Sequence, residues 1–179
     1  MNITFTRLAR SLGLVALMAS APAFAGNMIV NGTFDANTGA APDSWTLVAP
    51  ADAFTWAGPK LGNCLGGVGN CFYVQSIGTG QWVSLSQTVK SAVGKALTLS
   101  FSYNVEHDLS PGEVLQVLIN DVSVFSGQTA PQVAVPSGAT QSWSRANLPF
   151  VSTGHDTITF LFSNHQALSI DSVSVAATK

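Results

Sequence analysis

The chain has 179 residues, of which 46% are hydrophobic and 9% are charged, and its formal net charge is −2. A charged fraction far below the ~25% of ordinary soluble domains disfavours a helical protein rich in ion pairs. The lack of a basic excess argues against a nucleic-acid partner, since such a partner requires a positively charged face. The composition predicts a weakly charged globular protein that is rich in β-structure.

Residues 1–25 are typical of a secretory signal peptide. Arg7 and Arg10 precede a short apolar stretch, and residues 23–25 match the small-x-small cleavage pattern. We expect cleavage before Gly26 and a secreted or periplasmic product without membrane insertion, because the apolar stretch is shorter than the ~20 residues that span a bilayer. A retained anchor is the alternative. Cleavage removes two of the seven basic residues and none of the nine acidic ones, which leaves a net charge of −4.

The rest of the chain alternates repeatedly between apolar and polar residues, as half-buried β-strands do. Predicted strands lie at residues 28–30, 45–48, 72–74, 83–89, 97–103, 115–119, 122–125, 143–150, 158–162 and 168–175. The pair Asn120-Asp121 predicts a tight hairpin turn between two of them. Nine or ten short strands without a helical period predict an all-β fold, a two-sheet antiparallel β-sandwich, with residues 26–179 as a single domain.

Two cysteines, Cys64 and Cys71, enclose a glycine-rich segment. In an oxidising compartment we expect them to form a disulfide that closes this loop. A metal or redox pair is the alternative, but Cys-x-x-Cys spacing and a second cysteine pair are both missing from the sequence.

Enzyme motifs are absent from the sequence, including Gly-x-Ser-x-Gly, His-Glu-x-x-His and phosphate-binding glycine loops. The densest titratable clusters are the pair His155-Asp156 and a second cluster of Glu106, His107 and Asp108. Either a solvated loop or an acid/base or metal set explains this cluster, and polar residues between strands favour the loop. The sequence therefore predicts a protein that is not an enzyme.

Motifs at both ends of the predicted domain add a family resemblance. Asn-Gly-x-Phe-Asp opens the pattern at residues 31–35, and Ile-Asp-x-Val closes it at residues 170–173. Together with the intervening strands, this pattern resembles the secreted carbohydrate-binding modules of families 4 and 9 and related galactose-binding-like jelly rolls. The resemblance implies a jelly roll whose first and last strands lie close together, with Trp45 and Trp143 in its core.

The resemblance also implies a structural calcium ion bound by Asp35 and Asp171. Calcium favours six to eight oxygen ligands, and loop carbonyls near Asn31 are further candidates. We expect a β-bulge near Asp171, because Ile170 and Val173 are both apolar although they lie three residues apart. The alternative is that both aspartates are exposed carboxylates at a turn and at a strand end.

Aromatic residues are the candidate contacts for a sugar, because flat rings stack on the C–H faces of pyranoses. Trp82 occupies the polar phase of its strand, which predicts an exposed ring unless a loop covers it. Trp56 and Tyr73 are secondary candidates, although the loop-rich stretch around Trp56 favours a ring that covers the end of the sandwich. Asn104 and Glu106 are the candidate polar contacts.

We therefore expect a secreted, non-catalytic carbohydrate-binding module whose partner is a neutral polysaccharide or oligosaccharide. Uncharged Ser, Thr, Asn and Gln side chains on the strand faces suit a neutral ligand better than an anionic polymer. A second hypothesis, from a different class, is a cell-envelope or extracellular-matrix protein. Such a protein would use the same sandwich to contact other envelope proteins.

Overall fold

The computed structural model describes residues 26–58, 64–65, 69–75, 81–105, 114–128, 143–163 and 167–178. The predicted signal peptide at residues 1–25 lies outside them. The described strands are β1 (Thr46–Val48), β2 (Phe54–Gly58), β3 (Cys71–Gln75), β4 (Trp82–Lys90), β5 (Ala96–Val105), β6 (Val114–Ile119), β7 (Val122–Gln128), β8 (Ser144–Val151), β9 (His155–Ser163) and β10 (Ala167–Ala177). This part of the chain contains no helix with the length and apolarity needed to cross a membrane.

The strands form two five-stranded sheets. The first sheet has the order β1-β4-β9-β6-β7, and the second has the order β2-β3-β10-β5-β8. Every strand pairing in both sheets is antiparallel. Neither sheet closes on itself, so the structure confirms the predicted two-sheet antiparallel β-sandwich.

An aromatic core joins the two sheets. Phe101 on β5 meets Phe160 on β9 with a ring-centroid distance of 5.1 Å, and Phe72 on β3 meets Phe162 on β9 at 5.7 Å. All four rings are almost fully buried, and each such side chain stabilises the fold by about 1.5–3 kcal/mol. The apolar residues of the alternating apolar and polar pattern are therefore the ones buried between the two sheets.

The two tryptophans that the family resemblance assigns to the core differ. Trp45 is 8% exposed and packs against Phe34 and Phe160, so its predicted core position is confirmed. Trp143 is only half-buried and lies outside the hydrophobic cluster, because it immediately precedes the edge strand β8. Its assignment to the core is therefore wrong.

The predicted strand at residues 28–30 is a bent segment instead. Met28 donates its backbone N–H to the carbonyl of Val175, but the next contacts come from the Asn27 side chain, which accepts the N–H of Val175 and donates to the carbonyl of Val173. The Asn27 side chain thus takes the place of the backbone hydrogen bonds that would continue a strand here. The closeness of the opening and closing segments is nevertheless as expected.

The hairpin turn and the bulge are both confirmed. Asn120 and Asp121 have φ values of 51° and 65°, as the type I′ turn of a two-residue hairpin requires. On β10 the register shifts between Asp171 and Ser174. Gly32 fits against this bulge, since a Cβ there would lie 2.0 Å from the carbonyl oxygen of Val173.

Candidate functional site

The outer face of the first sheet is polar and almost free of charge. Val83, Leu85 and Phe160 point into the core, so the residues between them point outward. We define the Trp82 face by these outward residues of β4, β9 and β6: Trp82, Ser84, Ser86, Thr159, Leu161, Ser163 and Gln116. Among the described outward side chains of these three strands, only Lys90 is formally charged, and it lies about 26 Å from Trp82 along β4.

Trp82 begins β4 and pairs across the sheet with Ser163. Its side chain is 43% exposed, so the expectation that this ring faces solvent is confirmed. Hydroxyl and amide groups follow it along the face, and the Gln116 amide donates to the Ser123 hydroxyl at 3.1 Å. The arrangement offers one aromatic surface beside neutral hydrogen-bonding groups.

The other described ligand candidates lie on the opposite side of the molecule. Trp56, Tyr73, Ser169 and Asn104 follow one another across β2, β3, β10 and β5 in a single row. We call the outward side of these strands the Trp56 face. The structure thus brings three of the predicted ligand residues together and separates them from Trp82 by the whole sandwich. Glu106 lies outside the described residues.

Exposure differs sharply along this row. Trp56 is 38% exposed, whereas Tyr73 and Asn104 are 3% and 2% exposed. The Tyr73 ring packs edge to face against Phe54, with centroids 6.0 Å apart. Tyr73 is therefore not an open stacking surface, and its ring supports Phe54 instead. Phe54 is 46% exposed and was missed in the sequence, although its spacing of two residues from Trp56 signals a shared face.

The bend at the closing motif brings Asp35 and Asp171 together. Asp35 accepts hydrogen bonds from the Thr33 hydroxyl at 2.7 Å and the Asn70 amide at 2.9 Å. Asp171 is 7% exposed and accepts the backbone N–H groups of Ser172 and Leu65. Burial, reinforced by the negative charge of Asp35, raises the pKa of Asp171 to about 6.

The predicted disulfide between Cys64 and Cys71 is present. Leu65 and Asn70, which donate to the two carboxylates, both lie in the loop that this bond closes. The carboxylates, the Thr33 and Ser172 hydroxyls and the Asn70 amide oxygen are hard oxygen groups of the kind calcium prefers. The described residues include no cluster of three or more His, Cys, Asp or Glu side chains suited to a metal ion.

A second buried carboxylate is Asp156, which the sequence identified only as part of the titratable pair His155-Asp156. It is fully buried and accepts hydrogen bonds from the Thr153 hydroxyl at 2.8 Å, the Asn120 amide at 2.9 Å and the Ser152 hydroxyl. Burial alone would raise the pKa of Asp156, but these bonds outweigh it and hold the pKa below its usual value. The sequence signal for its burial was its position among the apolar, inward-facing residues of β9, two residues before Ile158.

No protein-family model matches this chain, and no curated protein matches it in sequence. Solved structures do match its fold. The enzymatically active domain of tailspike protein 4 from bacteriophage CBA120 superposes with a TM-score of 0.56 at 18% identity, covering 85% of this chain. This chain spans only about a fifth of that protein, 21% of its length.

Two other similar structures align with this chain over almost their full length. The K1 cleaved adhesin domain of Lys-gingipain from Porphyromonas gingivalis has a TM-score of 0.59 at 16% identity, covering 82% of this chain and 96% of its own. A family 61 carbohydrate-binding module in complex with β-1,4-galactotriose has a TM-score of 0.54 at 14% identity, covering 86% of this chain and 99% of its own. Modules of families 4 and 16 are also similar. The fold is therefore shared with carbohydrate-binding modules, as the opening and closing motifs predict.

Proposed function

We propose that this chain is an exported, non-catalytic carbohydrate-binding module that binds a neutral glycan on the Trp82 face. The observation that carries the proposal is the exposed Trp82 ring at one end of a face of neutral hydroxyl and amide groups. A pyranose stacks its C–H groups on such a ring, and the neighbouring hydroxyls and amides exchange hydrogen bonds with its own hydroxyls.

Charge favours a neutral ligand over an anionic one. An acidic polysaccharide would require basic groups beside the ring. Among the described outward side chains of β4, β9 and β6, the one formal charge is that of Lys90, at the far end of β4 from Trp82. The likeness to modules of families 4, 16 and 61 supports the ligand class. Export is supported by the disulfide, which persists in oxidising compartments, together with the signal-like residues 1–25.

Affinity gel electrophoresis tests this function. Soluble β-1,4-galactan, xylan and hydroxyethylcellulose are the neutral probes, and alginate is the anionic comparison. We expect retardation in at least one neutral gel and none in alginate. Trp82→Ala should weaken it about tenfold, since a stacked ring contributes about 1.4 kcal/mol.

The matched control is Val93→Ala, which truncates a residue that is 79% exposed in the turn between β4 and β5. This control should migrate as the wild type does. Unretarded migration of the wild type in every neutral gel would refute carbohydrate binding on these probes. Equal retardation of the wild type and Trp82→Ala would remove the Trp82 face from the binding site.

We also propose that Asp35 and Asp171 hold a structural calcium ion. Two facing carboxylates repel each other, and the raised pKa of Asp171 reflects its burial and that repulsion. A bound cation would relieve both and join the opening loop to β10. At a free calcium concentration of 100 Kd it would stabilise the native state by about 2.7 kcal/mol.

Thermal unfolding in EDTA and in millimolar calcium tests the calcium proposal. We expect calcium to raise the Tm of the wild type by several degrees and to leave that of Asp171→Asn unchanged. Equal Tm values for the wild type in EDTA and in calcium would refute the site.

A further inference from the structure

Exposed aromatic rings occur on both outer faces of the sandwich. Trp82 lies on the first sheet, whereas Phe54 and Trp56 lie on the second, so one sugar ring cannot touch both sets. We propose that Phe54 and Trp56 form a second, independent site for a neutral glycan, and that the chain therefore binds two glycan segments at once. This inference rests on the proposed carbohydrate binding and extends it from one site to two.

The two rings form a continuous platform. Phe54 and Trp56 alternate on β2, so their side chains leave the same face about 6.6 Å apart. They are 46% and 38% exposed, although large aromatic side chains are usually buried. The strand β2 lies at the edge of its sheet, and the segment around Gly39 runs beside it, with the Ala57 N–H donating to the Gly39 carbonyl at 2.6 Å.

Both rings are held in place. A Cβ at Gly39 would lie 3.9 Å from Cζ3 of Trp56, and one at Gly58 would lie 3.2 Å from its Nε1. The indole thus extends between two glycines, and the absence of side chains there lets its edges approach the backbone. Phe54 is backed by the buried Tyr73 ring. Fixed rings lose little side-chain entropy on binding, which favours a preformed site.

Neutral polar groups border the platform. The Asn37 carboxamide lies 3.6 Å from the same Cβ position at Gly58, beside the indole N–H. The exposed Gln75 side chain lies opposite Phe54 and accepts the Tyr73 hydroxyl at 3.4 Å. These groups suit the hydroxyls of a sugar.

Charge again selects the ligand. Neither β2 nor β3 contains a charged residue, so no basic group of these strands would balance an anionic glycan, and the proposed occupant is neutral. The two sites lie on opposite sides of sheets stacked about 10 Å apart, so a long polysaccharide or two chains can occupy both. Such bivalent attachment raises retention on a polymer far more than on a short oligosaccharide.

The test is affinity gel electrophoresis of four proteins in the neutral polysaccharide that retards the wild type most. The proteins are the wild type, Trp56→Ala, Trp82→Ala and the double variant, with Val93→Ala as the control. We expect each single variant to bind about tenfold more weakly and the double variant to migrate freely. Trp56→Phe keeps a flat ring and should retain most of the binding, and unchanged circular dichroism excludes misfolding as the cause.

Each other outcome decides between the two sites. Wild-type retardation of Trp56→Ala, with complete loss in Trp82→Ala, overturns the second site and leaves the first. Loss only in Trp56→Ala overturns the Trp82 site and makes the Trp56 face the one site. Free migration of the wild type in all neutral gels overturns both. If Trp56→Ala changes self-association in sedimentation and not retardation, the platform is a protein contact and the inference is wrong.

Discussion

Asp156 and Asp171 are both buried, yet their ionisation differs in direction. Asp156 is 0% exposed and Asp171 is 7% exposed, so burial raises the pKa of each in the first instance. The pKa of Asp156 nevertheless lies below its usual value, whereas that of Asp171 rises to about 6. Depth of burial therefore does not by itself decide whether a carboxylate in this sandwich is charged.

The hydrogen-bond donors explain the difference. Asp156 receives bonds from Ser152, Thr153 and Asn120, which belong to two separate turns at one end of the sandwich. Asp171 receives bonds from Ser172 and Leu65 and also faces the negative charge of Asp35. Convergent donors stabilise the charge of the first aspartate, and a like charge destabilises that of the second. Asp156 is therefore suited to joining the two turns that bond to it, and Asp171 is suited to binding a cation.

Replacing Asp156 should have the largest effect. Asp156→Ala leaves the buried Ser152 hydroxyl and the donors of Thr153 and Asn120 without their acceptor, so we expect a loss of about 3 kcal/mol of unfolding free energy at pH 7. Urea unfolding measures it. The control is Asp52→Ala, at an exposed turn position, which should change stability by less than about 0.5 kcal/mol. Similar losses in both variants would contradict the structural role of Asp156.

Asp156 also predicts acid sensitivity. Its folded pKa is below the unfolded value of about 3.9, so its stabilisation is present above that pH and is lost as the pH falls through the folded pKa. The stability difference between the wild type and Asp156→Asn should therefore shrink below about pH 4.

Asp171→Asn should have a smaller effect of opposite sign in EDTA. It removes a buried charge and the repulsion from Asp35, but it also weakens the hydrogen bonds that the carboxylate accepts. The net effect we expect is about 1 kcal/mol of added stability at pH 7. Folded Asp171 retains its proton up to about pH 6, while the unfolded group releases it near about 3.9, so wild-type stability falls as the pH rises across that window. A wild-type profile parallel to that of Asp171→Asn between these pH values would contradict the comparison.

Asn70→Ala should have the smallest effect. It removes one partly exposed hydrogen bond to Asp35, which contributes about 0.5–1 kcal/mol. Because the disulfide loop holds Asn70 in place, the same substitution should cost nothing further once the disulfide has been reduced. Urea unfolding of oxidised and dithiothreitol-treated protein gives both values. An equal cost in the two states would show that the loop does not position Asn70.

Much of the fold was predictable from the sequence. Alternation located most strands, Asn120-Asp121 located a hairpin turn, and the phase change around Asp171 located the bulge. The strand β2 was missed because Gly58 and the following proline are typical of a loop, and it forms by pairing with β3. The Asn120 donor to Asp156 was hidden because it lies 36 residues away in the chain.

Local alternation alone determined which side of a strand faces solvent, and so it identified Trp82 as exposed. It could not assign Trp82 and Trp56 to different sheets, because sheet order depends on pairings between distant strands such as β4 with β9 and β3 with β10. It could not show that Tyr73 is buried behind Phe54 either, since that packing joins neighbouring strands. The period of two belongs to the single strand, whereas the division of the aromatic residues between two faces belongs to the tertiary structure.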